Sequence, residues 1–269
     1  MDVKLVLIPV TVTDPYGVPY AGLPKETFRL FEDGVEQKVT YFATEDAPVS
    51  LGIVFDASGS MQNKIQKSRQ AVAEFFKTSV PGDEFFIVEF NDSPHLLHNF
   101  TTDTGELEKA LESVRPKGWT SLLDAIYFSV NRMRYAKNPH KALLVISDGG
   151  DNASRYNEAE MRTMVREADV CIYSIGMLGP GLPKSWIRLL TSLSDETGGQ
   201  FYPVERLRHM SDAVEKISRA IRNQYVLGYA STNQHNDGLY RKVEVKLAPT
   251  PDMPPARASW RVGYYAPLR

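Results

Sequence analysis

Apolar residues follow three different spacings along this chain. From Val3 to Val12 β-branched residues dominate, and the run stops at the turn cluster Asp14-Pro15-Tyr16-Gly17. Thr27 to Phe31 and Val35 to Phe42 flank Asp33-Gly34, a two-residue hairpin signal. Residues 1 to about 46 are therefore predicted to be β. From residue 50 to about 222 short apolar runs alternate with helical spacing. Leu51 to Phe55, Glu84 to Phe90, Ala142 to Ile146, Val170 to Ile175 and a short piece from Phe201 read as strands. The fully apolar run Ala142 to Ile146 is the kind buried on both faces of a parallel sheet. Helices are predicted around Ile65, Val72, Phe75 and Phe76, and around Leu122, Ile126, Val130 and Met133. Others are predicted at Met161 to Val165, at Lys184 to Leu193 with a stop at Gly198-Gly199, and at Met210, Val214, Ile217 and Ile221. From 223 to 269 the period returns to two, with Val243, Val245 and Leu247 against Glu244 and Lys246. Trp260 to Tyr265 reads as another strand, and Pro249 to Pro255 as a proline-rich loop.

Strand and helix in alternation predict a doubly wound, mostly parallel α/β sheet over residues 47–222. Neither β end, 1–46 or 223–269, is long enough to be stable alone. The two are expected to form one small all-β, sandwich-like module into which the α/β domain is inserted; two separate β-caps are the alternative.

Composition adds mainly exclusions. Thirty-one Lys and Arg against 33 Asp and Glu leave a formal charge of -2, without the basic excess of a nucleic-acid or anionic-membrane binder. No apolar run approaches the ~20 residues of a membrane helix. No signal peptide is read, because Lys4 and a strand-like pattern come at once, and this says little about location. The single cysteine, Cys171, excludes an intramolecular disulfide and reads as a buried core thiol.

The candidate chemistry lies at the carboxyl ends of the predicted strands, where open α/β sheets bind ligands. Strand 51–55 runs into Asp56-Ala57-Ser58-Gly59-Ser60-Met61, with a helix expected immediately after. Strand 142–146 runs into Ser147-Asp148-Gly149-Gly150-Asp151-Asn152, and Lys117-Gly118-Trp119-Thr120 precedes another helix, which Thr120 either caps or leaves for a metal. Two carboxylates and three hydroxyls are hard oxygen donors suited to Mg²⁺, Mn²⁺ or Ca²⁺, and few carboxylates with room for water favour Mg²⁺ or Mn²⁺ over Ca²⁺. Asp56 and Asp148 neutralise a divalent ion formally, and a helix N-terminus after Ser60 would favour an incoming anion. The site is therefore expected to recruit a carboxylate from a partner.

Asp56-x-Ser58-x-Ser60, Thr120 and Asp148 in Ser-Asp-Gly resemble the metal-ion-dependent adhesion site of von Willebrand factor A domains, over about residues 47–222. The flanks look like bacterial von Willebrand factor A-related proteins of the acidobacterial type, on Val10-Thr11-Val12-Thr13-Asp14 with Phe31-Glu32-Asp33-Gly34, and on Tyr225-Val226-Leu227-Gly228-Tyr229 with Gly263-Tyr264-Tyr265. The resemblance implies a divalent metal, a protein ligand offering Asp or Glu, and usually no catalysis. It implies Ser58 and Ser60 as direct ligands, with Asp56, Thr120 and Asp148 direct or through water. It also implies a last helix that can shift; here that helix runs almost directly into the strand at Tyr225, so a shift would pull on the β-module. Trp119 departs from the small residue expected beside Thr120.

Other candidates take plainer readings. Asp56, Ser58 and Ser60 as a helix cap would explain one of the three and leave Asp148 unexplained. Asp151 and Asn152 read as turn residues. His95 and His98 lie in an extended stretch and point to opposite faces. Arg155, Arg162 and Arg166 read as a solvated helix face, and Tyr225, Tyr229, Tyr264 and Tyr265 as module packing. The leading function is an adhesion or interaction module, exported rather than cytoplasmic. The rivals are a Mg²⁺-dependent hydrolase or phosphatase, and a cytoplasmic assembly subunit working with an ATPase. The hydrolase lacks a neighbouring His, a Gly-x-Ser-x-Gly elbow and a phosphate-binding loop.

Overall fold

The computed structural model describes residues 5–45, 47–179, 184–248 and 255–268. The chain opens with strands β1 (Leu5–Thr13), β2 (Phe28–Glu32), β3 (Val35–Gln37) and β4 (Val39–Glu45). Asp33 and Gly34, with φ of 48° and 83°, make the left-handed two-residue turn that joins β2 to β3, with Glu32 facing Val35. The strand expected from Val35 to Phe42 is two strands: β3 pairs with β2, while β4 pairs with a strand of the opposite sheet, so the chain changes sheets at Lys38.

The central region holds β5 (Val49–Asp56), α1 (Ile65–Phe76), β6 (Glu84–Phe90), β7 (Pro94–Thr101), α2 (Thr104–Ser113) and α3 (Leu122–Arg132). It continues with β8 (His140–Ser147), α4 (Glu158–Glu167), β9 (Cys171–Met177), α5 (Lys184–Glu196), β10 (Phe201–Val204) and α6 (Met210–Arg222). Its six strands stand in the order β10-β9-β8-β5-β6-β7, parallel except for the edge strand β7. Every residue of β5 is buried, as in a sheet covered on both faces. Leu51, Ile53 and Phe55 of β5 and Leu144 of β8 pack with α1, α2 and α6, whereas Val54, Leu143 and Val145 pack with α3, α4 and α5. The order reverses between β5 and β8, so a crevice opens beyond their carboxyl ends. Strand β7 and helix α2, capped by the Asp103 carboxylate, join the elements expected from sequence.

The chain ends with β11 (Gln224–Ala230), β12 (Tyr240–Leu247), β13 (Arg257–Trp260) and β14 (Gly263–Tyr265). They join the first strands in two four-stranded sheets, β13-β1-β11-β4 and β14-β12-β2-β3. Ile8, Val10, Leu30, Tyr225, Leu227, Tyr229, Val243 and Val245 fill the space between them. The strand expected over Trp260 to Tyr265 is likewise broken, because Arg261 bridges Thr197 and the Val262 N–H reaches the Glu196 carbonyl. Those contacts bind the β-module to the end of α5. One residue, Asn223, separates α6 from β11, and Arg222 pairs with buried Asp83, which accepts the Val49 N–H that begins β5. Most of the loop Pro249 to Pro255 lies outside the described residues. Among the described residues no helix is long and apolar enough to cross a membrane.

Candidate metal centre

The site is built by three loops stitched together through their main chains. The loop after β5 is held by Ala57 N–H to Phe90 O (2.8 Å) and Lys117 N–H to Ala57 O (2.9 Å). Gly59 N–H donates to Gly118 O at 3.1 Å, tying it again to the loop before α3. That second loop is bound to the end of β6 by Ser121 N–H to Asn91 O (2.8 Å) and Trp119 N–H to an Asp92 carboxylate oxygen (2.8 Å). Gly118 makes the approach possible: its φ is +71°, and a β-carbon there would lie 2.6 Å from the Asp92 carboxylate oxygens. The third loop, after β8, joins through Asn152, whose N–H reaches Thr120 O (3.0 Å) and whose Oδ1 accepts the Thr120 N–H (2.8 Å).

Asp56 closes β5 with no exposure to solvent. Because Phe55 of β5 is in register with Ile146 of β8, the next residues, Asp56 and Ser147, are neighbours, and Ser147 Oγ donates to Asp56 Oδ2 at 2.5 Å. Asp56 Oδ1 accepts the Ser58 N–H at 2.8 Å. Burial is the main influence on this carboxyl and pushes its pKa up to about 6, against the opposing hydrogen bonds of Ser147 and Ser58. Ser58 Oγ lies 3.0 Å from Ser60 Oγ, which donates to Asp148 Oδ1 at 2.7 Å. The Lys64 ammonium bonds the other Asp148 oxygen. A methyl group placed on Gly149 would stand 3.8 Å from both the Ser60 and Thr120 hydroxyls, so these two face the same glycine. Thr120 is buried, while Ser60 is exposed, and the cluster therefore opens outward on the Ser60 side.

This donor set fits a small divalent cation. Neighbouring corners of an octahedron with bonds of about 2.1 Å lie about 3.0 Å apart, close to the 3.0 and 2.7 Å steps from Ser58 to Ser60 to Asp148. Among the described residues no group of three or more His, Cys, Asp or Glu side chains is placed to hold a metal. An ion here would rest on hydroxyls as much as on carboxylates.

Several expectations change. No α-helix begins directly after Ser60: Gly59–Asn63 form a 3-10 turn, and α1 starts at Ile65 behind Lys64. The anion-attracting helix end is thus displaced from the site, and the nearest positive group is the Lys64 ammonium, which the formal charge balance of two aspartates omitted. The cap of α3 is Ser121, not Thr120, and neither Asp56, Ser58 nor Ser60 caps a helix with its side chain. Asp151 and Asn152 do more than turn the chain. Asp151 Oδ1 accepts Leu123 N–H at 3.3 Å, and Asn152 fixes Thr120. Asp124, on α3, accepts the N–H groups of Arg155 and Tyr156 and holds the far side of the same loop. Ser147, Lys64, Asp124 and Asn152 hold the candidate site together without having been given that role from sequence; Ser147 and Asn152, in the segment around Asp148, carried a local signal.

The other candidates stay structural. His95 bonds Ser93 and His98 bonds the Asn99 carbonyl. Arg162 and Arg166 converge on Glu196 instead of forming a free basic face. Cys171 is buried, and burial pushes its thiol up to about 12, which leaves it protonated and inert.

Residues 51–150 match the sequence model of the von Willebrand factor type A domain. Inter-alpha-trypsin inhibitor heavy chain 4 of Mus musculus is 28% identical over 177 residues, 60% of this chain and 19% of that protein. The minor fimbrium subunit Mfa5 of Porphyromonas gingivalis is 29% identical over 153 residues, 53% of this chain and 12% of that protein. The chain thus spans less than a fifth of the curated relatives it matches. Proximal thread matrix protein 1 from the mussel byssus, solved with a zinc-occupied MIDAS motif, superposes with TM-score 0.55 at 18% identity, over 70% of this chain and 49% of that one. The PilB minor pilin of Streptococcus sanguinis gives TM-score 0.54 at 14% identity, over 66% and 62% of the two chains. Residues 51–150 thus carry the sequence pattern of a von Willebrand factor type A domain, and the six-stranded sheet with loops at its carboxyl edge has the fold of the solved structures it resembles.

Proposed function

We propose that the chain is a metal-dependent protein-binding module. Asp56, Ser58, Ser60, Thr120 and Asp148 hold a divalent cation, Mg²⁺ or Mn²⁺ before Ca²⁺. The bound ion would supply a Lewis-acidic position for an Asp or Glu carboxylate of a partner protein. The observation that carries this reading is the unbroken run of oxygens from buried Asp148 through the Ser60 hydroxyl to Ser58, opening to solvent at Ser60. The protein's own part is rigidity: Asn152, Asp92 and Asp124 fix the three loops before any ligand arrives, so little ordering cost remains for binding. We place the α/β domain at residues 47–222, inserted into one β-module formed by 1–46 and 223–269.

The reading as a binding module also draws on what surrounds Ser58. Its hydroxyl is bonded to another hydroxyl, not to an imidazole or carboxylate able to take its proton, and a serine nucleophile needs such a base. A fimbrial relative and a pilin of similar fold support an extracytoplasmic setting. The test is calorimetric titration of Mg²⁺, Mn²⁺, Ca²⁺ and Zn²⁺ into wild type and Asp56→Ala. Zinc belongs in the series because a structural neighbour carries it. Binding to wild type that Asp56→Ala abolishes supports the reading; equal behaviour of the two proteins overturns it.

A further inference from the structure

Lys64 stands where the loop of the candidate centre becomes α1. The 3-10 turn Gly59–Asn63 closes with Lys64 N–H on the Met61 carbonyl at 2.8 Å. From this junction the Lys64 side chain reaches back across the site, and its ammonium bonds Asp148 Oδ2. Asp148 Oδ1 is already taken by the Ser60 hydroxyl, so both oxygens of a carboxylate with no exposed side-chain surface are engaged. The Lys64 side chain is itself 27% exposed. This is therefore not a solvated surface pair of little consequence. An ammonium is a compact, strongly hydrated point charge that seeks several oxygens. In this it resembles the cation the donors suit.

We propose that Lys64 is a built-in competitor for the divalent ion. Its ammonium bonds Asp148 Oδ2, and an ion would gain that carboxylate only by displacing it. The inference rests on the reading of Asp56, Ser58, Ser60, Thr120 and Asp148 as a cation site, and it adds regulation to that site. Two consequences follow from charge alone. Affinity for Mg²⁺ or Mn²⁺ is held down by a like charge at contact distance. Once displaced, Lys64 stays tethered at the mouth, so the loaded site carries one net positive charge where two aspartates alone would leave none. An anionic partner and the metal should then strengthen each other's binding reciprocally.

The experiment compares Mn²⁺ binding to wild type and Lys64→Met by calorimetry at low ionic strength. Lys64→Gln, which keeps a donor for Asp148 without the charge, serves as the second variant should methionine impair folding. The expected result is at least tenfold tighter Mn²⁺ binding when the charge is removed. In wild type with ¹⁵N-labelled lysine side chains, saturating Mg²⁺ should also move the Lys64 ammonium resonance, identified by its loss in the variant. Wild type and variants that bind Mn²⁺ equally, or variants that bind more weakly, overturn the competitor role and leave the metal site standing. A Lys64 resonance unmoved by Mg²⁺ that calorimetry shows to be bound does the same. If neither wild type nor any Lys64 variant binds Mn²⁺, the metal reading falls and the inference with it. Variants that bind where wild type does not would support the competitor role most directly.

Discussion

Two buried carboxylate clusters, one in each part of the molecule, are held in opposite ways. In the β-module Glu32, 3% exposed, accepts Tyr229 Oη and Tyr264 Oη, each at 2.7 Å, and Ser231 Oγ at 2.5 Å. Both tyrosines pack in the sandwich, and burial raises both their pKa values, so each ring keeps its proton for Glu32, while half-buried Ser231 lies just beyond β11 and also bonds Asn233. In the α/β domain Asp56 and Asp148 are buried as deeply, but Asp148 is bound by a lysine and by a serine that is open to solvent. The two tyrosines of the first cluster are fixed by the core around them. The second cluster can surrender a proton donor or an ammonium to a cation without unfolding anything. What separates the structural buried charge from the proposed functional one is the replaceability of its partners, not its depth.

The largest expected effect lies in the first cluster. Glu32→Ala leaves the Tyr229 and Tyr264 hydroxyls without their carboxylate acceptor and should cost about 3–5 kcal/mol in urea unfolding, with Mn²⁺ affinity unchanged. Glu32→Gln retains an acceptor and should cost about 1–2 kcal/mol. The second cluster should respond in reverse. Asp148→Ala is expected to weaken Mn²⁺ binding by at least 100-fold, about 2.7 kcal/mol, while costing less metal-free stability than Glu32→Ala does, because its partners Lys64 and Ser60 can turn to solvent. A loss of several kcal/mol in metal-free stability with Asp148→Ala would erase the contrast, because Asp148 would then be as structural as Glu32.

A smaller effect separates the proposed ligands from the residues that orient them. Asn152 hydrogen-bonds the Thr120 main chain, at 2.8 and 3.0 Å. Asn152→Ala should lower Mn²⁺ affinity about tenfold, in the range expected when an outer-shell partner is lost, with calorimetric stoichiometry unchanged. Retained affinity would show that Gly59 and Asp92 alone keep the second loop in place.

The two clusters also differ in how far the sequence announced them. The central strands were readable because parallel strands covered on both faces need unbroken apolar runs, as in Leu51–Phe55 and Ala142–Ile146. Their last residues then located Asp56 and Asp148 at one edge. The Glu32 cluster gave no such signal: its donors come from residues about 200 positions away, and no local period encodes that meeting. The breaks at Lys38 and Arg261 were hidden for a related reason, since a strand that changes sheets keeps its alternation while tertiary contacts turn it. Lys64 was obscured by a local detail. Whether an α-helix or a 3-10 turn follows Ser60 decides where that side chain reaches, and the hydrophobic spacing of α1 begins only at Ile65.

The smallest effect on the isolated protein concerns Trp119, the residue at the mouth that departs from the small side chain expected there. Its main chain is fixed by Asp92, yet the residue is 66% exposed beside buried Thr120. A side chain so exposed contributes little to folding, so Trp119→Ala should change stability by less than about 0.5 kcal/mol. It should also leave Mn²⁺ affinity within about twofold, because Asn152 bonds the Thr120 main chain on both its N–H and its carbonyl. An exposed aromatic on a rigid loop is the sort of side chain that dominates a protein interface when covered. Metal binding and partner binding should therefore come apart in this variant. If Trp119→Ala instead lowers Mn²⁺ affinity as much as Asn152→Ala does, the indole is bracing the second loop, and the mouth of the site is part of its scaffold.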